Sequence, residues 1–141
     1  MNVLPYLRAP YKIDGYDFNG FYCWGLVWHI YKNELDFELP EYLGLDEKLF
    51  SEYLTDAVEN KKSSQVDYRE CEEHLSIVTM GVNGKVTHCG ILIKVNSQLR
   101  VIHATSGRFL NKEAGVIITP MRDIKKLFNY IRTWKPLNLT C

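Results

Sequence analysis

The sequence has no excess of either charge: 17 Lys and Arg stand against 17 Asp and Glu. No basic stripe stands out, so nucleic-acid binding has no electrostatic support. Long hydrophobic runs are missing too, and none approaches the roughly 18 residues that a membrane-spanning helix needs. The first residues carry Pro5, Arg8 and Pro10 where a signal peptide needs an unbroken apolar stretch, so no signal peptide is expected. Any action outside a cell would then depend on another carrier. There is no internal repeat and no low-complexity tract. Cysteine is scarce, and no two of Cys23, Cys71, Cys89 and Cys141 stand at C-x-x-C spacing, which argues against a zinc ribbon or a thioredoxin motif. Without a signal peptide the four thiols are expected to be free, with Cys71, Cys89 and Cys141 read as small buried hydrophobes.

What is present suits one folded unit. A chain of 141 residues fits a single domain spanning residues 1–141. At that size a core needs no staple, since about 68–70% of the unfolded surface can be buried. Nine Tyr, six Phe and three Trp exceed what a core of this size requires and hint at a cleft or an interface. The apolar terminal segments (Val3, Leu4, Tyr6, Leu7; Trp134, Leu137, Leu139) read either as core or as a docking surface.

Two helical stripes come first. Cys23, Trp24, Leu26, Val27, Ile30 and Tyr31 recur at helical spacing, with Asp17, Asn19 and Gly20 offering capping or turn chemistry before them. Asn33 and then Leu39-Pro40 close that segment. Asp46 reads as the N-cap of a second helix, with Leu49, Phe50, Tyr53, Leu54, Ala57 and Val58 on one stripe. The polar run Asn60, Lys61, Lys62, Ser63, Ser64 reads as an exposed loop. The period then changes. Leu75 to Val82 and Lys85 to Val95 flank Asn83-Gly84, a two-residue hairpin signal because both positions must take positive φ. Asn96-Ser97 marks another turn before a strand from Leu99 to Thr105, and Gly115 to Thr119 is a fourth strand. After Pro120, the residues Ile124, Leu127, Phe128 and Ile131 keep helical spacing. Helices followed by antiparallel strands predict an α+β fold.

Chemistry gathers at three residues. Cys23 opens a helix after a loop rich in Gly, Asp and Asn. Backbone N–H groups at a helix N-terminus favour an anion, and a thiolate there forms and reacts more readily. Gly25 leaves room for another segment to approach. His88 lies on the strand after the Asn-Gly turn, and His103 on the next. Strand alternation puts both on one face. They are directly opposite if the connecting turn centres on Val95 and Asn96, and diagonal if it centres on Asn96 and Ser97. Two imidazoles beside a helix-terminal thiol read as a nucleophile (Cys23), a general base (His88) and a group that orients the base (His103). A bulge in either strand would undo the parity. His29 and His74 have no such placement and read as surface or capping residues.

Tyr22-Cys23-Trp24-Gly25-Leu26-Val27 resembles the Cys-Trp-Gly-Leu-Val box of NlpC-type cysteine peptidases, in particular their phage tail-assembly branch. Pro10-Tyr11, Gly15 and Gly20-Phe21 resemble the segment before that box. His88-Cys89-Gly90-Ile91 resembles the family's His-Val-Gly-Ile block, and Val101-Ile102-His103-Ala104 the block with the third catalytic residue. The resemblance runs over roughly residues 4 to 134. It implies a circularly permuted papain-like fold, with N-terminal helices packed on an antiparallel sheet and a C-terminal helix. It implies hydrolysis of amide bonds in bacterial cell-wall peptides, most often between γ-D-glutamyl and a diamino acid, by a Cys23–His88–His103 triad. Tyr11 would sit at the cleft, and the backbone N–H groups of Cys23 and Trp24 would serve the oxyanion. No metal or cofactor is implied. Tyr22 departs from the Asp usual before the nucleophile, and Glu73-His74-Leu75 departs from the usual Gly-Asp strand start.

Three functions use these residues. The first is a cysteine endopeptidase acting on peptidoglycan peptides as a phage or prophage tail component, beside tail-tip or baseplate proteins. The second is a structural tail-tip or assembly protein on the same fold. The third is a cytoplasmic thiol amidase or acyltransferase on a small metabolite. The corresponding locations are a virion tail if the chain is phage-encoded, and otherwise the cytoplasm.

Overall fold

The Asn83-Gly84 pair takes φ of 53° and 79° and closes the hairpin between β4 (Ile77–Val82) and β5 (Lys85–Val95). From this hairpin the rest of the sheet can be followed in the computed structural model, which describes residues 1–62, 65–107 and 112–141. Asn96 and Ser97, both at positive φ, turn β5 into β6 (Gln98–Thr105), and β7 (Gly115–Pro120) pairs with β6. With β3 (Tyr68–Glu70) and β8 (Tyr130–Pro136) they form an antiparallel sheet in the order β3-β8-β4-β5-β6-β7. A two-stranded ribbon, β1 (Tyr16–Asp17) and β2 (Gly20–Phe21), stands apart from it.

Alternation along the strands sends side chains to two cores. On one side Val86, Cys89, Ile91, Ile93 and Ile102 pack with Trp24, Leu26, Val27 and Ile30 of α2 (Cys23–Leu35) and Leu54 of α3 (Glu47–Thr55). On the other, Val78, Met80, Leu92 and Val101 pack with Met121 and Ile124 of α4 (Met121–Leu127). Each fully buried Leu, Ile or Val contributes about 1.5–3 kcal/mol. A short helix, α1 (Leu4–Leu7), begins the chain. The architecture is α+β, as the sequence predicts. Among the described residues no helix is long and apolar enough to cross a membrane.

Asp46 caps α3 as expected, its side chain accepting from the Leu49 N–H at 2.8 Å. A single π turn, Asp56–Asn60, extends α3. Lys61 then turns left-handed at φ 52°; Ser63 and Ser64 of the expected loop lie outside the described residues. Three expectations are corrected. First, Asp17, Asn19 and Gly20 do not cap α2. Asp17 Oδ1 accepts from Asn19 N within the β1–β2 turn, and Tyr22 occupies the cap position without a side-chain bond. Second, the helical spacing after Pro120 overruns the helix. It stops at Leu127, Phe128 is extended, and Ile131 lies on β8, where β-branched and aromatic residues (Tyr130, Ile131, Thr133, Trp134) favour a strand. Third, two of the four thiols are not free: Cys71 and Cys141 form a disulfide across 70 residues. The β3–β8 ladder, with Tyr68 opposite Pro136, carries residue 71 alongside the segment beyond β8, and no sequence spacing marks that pairing. Of the apolar terminal residues, Tyr6 and Trp134 are core, while Leu4, Leu7 and Leu137 are exposed.

Candidate active site

The first turn of α2 is held from outside. Tyr22 enters it in an extended conformation and donates its N–H to Gly15 O at 3.2 Å. Gly15 O lies so close to α2 that a Cβ on Gly25 would stand 1.8 Å from it, so Gly is required there. Pro10 and Lys12 hydrogen-bond to Phe21, which sets Tyr11 beside the helix start. The first-turn N–H groups of an α-helix have no acceptor within the helix and aim at whatever lies before it. Cys23 sits there, half-buried, in a cleft of about 830 Å³ shared with Tyr11, Tyr42, His88, Phe128 and residues 105–107.

The β5–β6 ladder runs from Val95↔Gln98 to Ile91↔Ile102, so the turn centres on Asn96 and Ser97 and the histidines take the diagonal register. The irregularity in the β4–β5 pairing falls between Met80 and Gly81. It lies on the far side of His88 from that turn, and the parity holds. The rings meet with His88 Nε2 2.8 Å from His103 Nδ1, at 74° between planes. Gly90 makes room, since a Cβ on it would lie 3.0 Å from His103 Cβ. His103 is wholly buried, and its Nε2 is 2.9 Å from Thr119 Oγ1. Burial pushes its pKa down to about 2, helped by His88 and Lys112, so it is neutral at physiological pH. Phe128 stacks on His88, with centroids 6.4 Å apart and planes 17° from parallel.

Cys23 and His88 line the same cleft, and Cys23 packs against the core cluster that contains Cys89. His88 and Cys89 are consecutive residues of β5 and point to opposite faces: Cys89 joins the α2 core, whereas His88 has the parity of Leu92 in the α4 core. Proximity to Cys89 holds the Cys23 thiol well below its usual range, burial opposes this, and His88 adds to the lowering. The Cys89 thiol is pushed well above its usual range, by burial first and then by Cys23.

Tyr11 lines the cleft half-buried, and burial, followed by the nearby Cys23, raises its hydroxyl pKa. The Trp24 side chain is buried and donates to Pro40 O at 2.7 Å, so it does not line the cleft. Tyr22 is buried too, its hydroxyl donating to Tyr42 O and meeting Tyr16 Oη at 2.9 Å. It builds the cleft wall. His29 Nδ1 meets Tyr6 Oη at 3.1 Å among aromatic rings, and His74 Nδ1 accepts from Lys94 N at 3.1 Å; both are structural. Sequence reasoning missed Thr119 and Phe128. Strand alternation could have put Thr119 on the His103 side, but only once the β6–β7 register, Ile117 opposite His103, was known. Among the described residues no three His, Cys, Asp or Glu side chains converge as a metal site would need.

The model of the NlpC/P60 family matches residues 8–127, a span containing Cys23, His88 and His103. The chain belongs to the NlpC/P60 family. No curated protein sequence matches it. NlpC/P60 is a family of cysteine peptidases whose activity is directed at cell-wall peptides, and the α+β layout is its papain-like fold. The match ends before β8, although β8 sits inside the sheet between β3 and β4.

Proposed function

We propose that residues 1–141 form a single cysteine peptidase domain that hydrolyses the γ-D-glutamyl–diamino-acid amide of bacterial cell-wall peptides. The observation that carries this reading is that Cys23 and His88 line one open cleft, with His88 hydrogen-bonded through His103 to Thr119 behind it. Cys23 is the nucleophile. His88 takes its proton at Nδ1, because Nε2 is engaged by His103. His88 Nε2–H then donates to His103 Nδ1, and His103 Nε2–H to Thr119 Oγ1. His103 is too weak a base to accept the proton itself, so the imidazolium stays on His88, where it can protonate the leaving amine. The N–H groups of Cys23 and Trp24 face the developing oxyanion, and Tyr11 stands at the cleft to bond the substrate. Among the described residues the cleft lining includes Asp14, Asp46 and Glu47 and no Lys or Arg, which suits the amino groups of a diamino acid.

The tail-tip or baseplate setting rests on the resemblance of the Cys-Trp-Gly-Leu-Val box to the phage tail-assembly branch. The Cys71–Cys141 bridge supports work outside a reducing cytosol rather than on a cytoplasmic metabolite. The test is digestion of purified muropeptides followed by mass spectrometry. Expected products are one fragment ending in D-glutamate with a free γ-carboxylate and one beginning at the diamino acid. Absence of new fragments, or a cut at another bond, overturns the proposal.

A further inference from the structure

Phe128 is an aromatic ring in the cleft that the mechanism above does not use. Its place is set by α4 and by the hairpin that leads into β5. The helix ends at Leu127, and Phe128 turns to extended backbone at φ −126° and ψ 136°, its N–H still bonded to Ile124 O at 3.2 Å. Its ring packs against the α4 core. The next residue, Asn129, is tied to the Asn83-Gly84 turn: Asn83 N donates to Asn129 Oδ1 at 2.8 Å, and Asn129 Nδ2 donates to Asn83 Oδ1 at 3.2 Å. The helix and the turn that starts the His88 strand thus hold Phe128 from both sides.

The His88 ring lies along Phe128, with planes 17° from parallel and centroids 6.4 Å apart, inside the range of offset-stacked rings. His103 meets His88 differently, at 74° and through a hydrogen bond to Nε2. That bond fixes one atom of the His88 ring. It leaves the ring free to turn about a line through Nε2, and the terminal torsion of a histidine is broad. Such a turn swings Nδ1, the atom read above as the acceptor of the thiol proton. A flat face parallel to the imidazole removes this freedom, because a point and a plane together define where Nδ1 is directed.

We propose that Phe128 is a positioning residue for the general base: its ring, held by α4 and by the Asn83–Asn129 pair, fixes the plane of the His88 imidazole and so aims Nδ1 at the Cys23 sulfur. The inference rests on the reading of Cys23 and His88 as nucleophile and base, and adds what orients the base besides His103. Two other roles would place an aromatic residue here, and they have different requirements. A substrate contact matters only when substrate is bound. A core role needs apolar bulk of about the right size. An aiming role needs a flat ring, and it works only while His88 is present.

The experiment follows iodoacetamide alkylation of Cys23 as a function of pH, read on the Cys23 peptide by mass spectrometry. The proteins are wild type, Phe128→Leu, Phe128→Met, Phe128→Tyr, Phe128→Trp, and His88→Ala with and without Phe128→Leu. Urea unfolding is measured on each, so that one flat and one non-flat variant suffice if the others do not fold. No substrate is present, so a substrate-contact role predicts no change. The other ionisable groups lining the cleft (Tyr11, Asp14, Tyr22, Tyr42, Asp46 and Glu47), and Cys89 in the adjoining core, are the same in every variant. The expected result is a wild-type midpoint well below the ordinary thiol value of about 8.5, because an imidazolium aimed at the sulfur favours the thiolate. His88→Ala raises it by about one pH unit or more. Phe128→Leu and Phe128→Met raise it by about half a unit, roughly a threefold change in the thiolate equilibrium. Phe128→Tyr or Phe128→Trp keeps it within about two tenths of wild type. In His88→Ala, Phe128→Leu adds no further shift, since the ring acts through His88. Three results overturn this proposal alone: Phe128→Leu and Phe128→Met leave a low midpoint in place, Phe128→Tyr and Phe128→Trp shift it as far as Phe128→Leu does, or Phe128→Leu shifts it equally in His88→Ala. A wild-type midpoint that His88→Ala does not move overturns the nucleophile–base pair itself, and the role of Phe128 with it.

Discussion

Thr119→Val removes one oxygen and almost no volume, and it tests the far end of the contact chain. Thr119 Oγ1 lies 2.9 Å from His103 Nε2 in a wholly buried site. Losing an acceptor for a buried N–H costs roughly 1–3 kcal/mol. That cost can fall in two places. If His103 keeps its proton on Nε2, the protein loses stability by that amount. If His103 moves the proton to Nδ1, that N–H faces His88 Nε2 at 2.8 Å. His88 must then carry its own proton on Nδ1, toward the sulfur, where it cannot accept the thiol proton. The second outcome lowers kcat by about 5- to 150-fold for the same energy range and leaves KM unchanged. The assay pairs urea unfolding with kcat and KM on the cleaved muropeptide. We expect a kcat loss of about tenfold, restored by Thr119→Ser, because the buried pair can relieve the defect by changing tautomer. A Thr119→Val protein with both wild-type stability and wild-type kcat refutes the reasoning.

The burial of neutral His103 also predicts acid sensitivity. Its folded pKa, about 2, lies below the unfolded value of about 6.5, so the unfolded state binds the extra proton between those values and stability falls as pH drops below about 6.5. Between pH 6.5 and 4.5 this one group removes about 2.3 kcal/mol, so urea midpoints of His103→Asn should change with pH less steeply than those of wild type. Gly25→Ala drives a Cβ into Gly15 O, a backbone atom that cannot swing away, and should lower unfolding free energy by about 3 kcal/mol or more and slow alkylation of Cys23. Cys71→Ser with Cys141→Ser should cost up to about 4 kcal/mol in urea unfolding, from a closed loop of 70 residues, yet leave muropeptide cleavage in the folded fraction intact.

The parts of this site legible in the sequence share one property: local chemistry dictates them. Asn83-Gly84 forces a hairpin, Asp46 caps a helix through its own side chain, and the even spacing across the Asn96-Ser97 turn puts both histidines on one face. The parts that were not legible depend on distant segments. Thr119 reaches His103 through a β6–β7 register that no turn signal specifies. Cys71 meets Cys141 because β8 enters the sheet next to β3, far along the chain. The stretch after Leu127 kept a helical spacing of apolar residues because Phe128 and Ile131 pack against the α4 core from extended backbone.

The central claim is that Cys23 attacks and His88 activates it. The most direct test is the initial rate of muropeptide cleavage by wild type, Cys23→Ala and His88→Ala, each first shown to be folded by urea unfolding. The account predicts cleavage by wild type and losses of at least about a thousandfold in Cys23→Ala and about a hundredfold or more in His88→Ala. A folded Cys23→Ala protein that cleaves the same bond at the wild-type rate contradicts it.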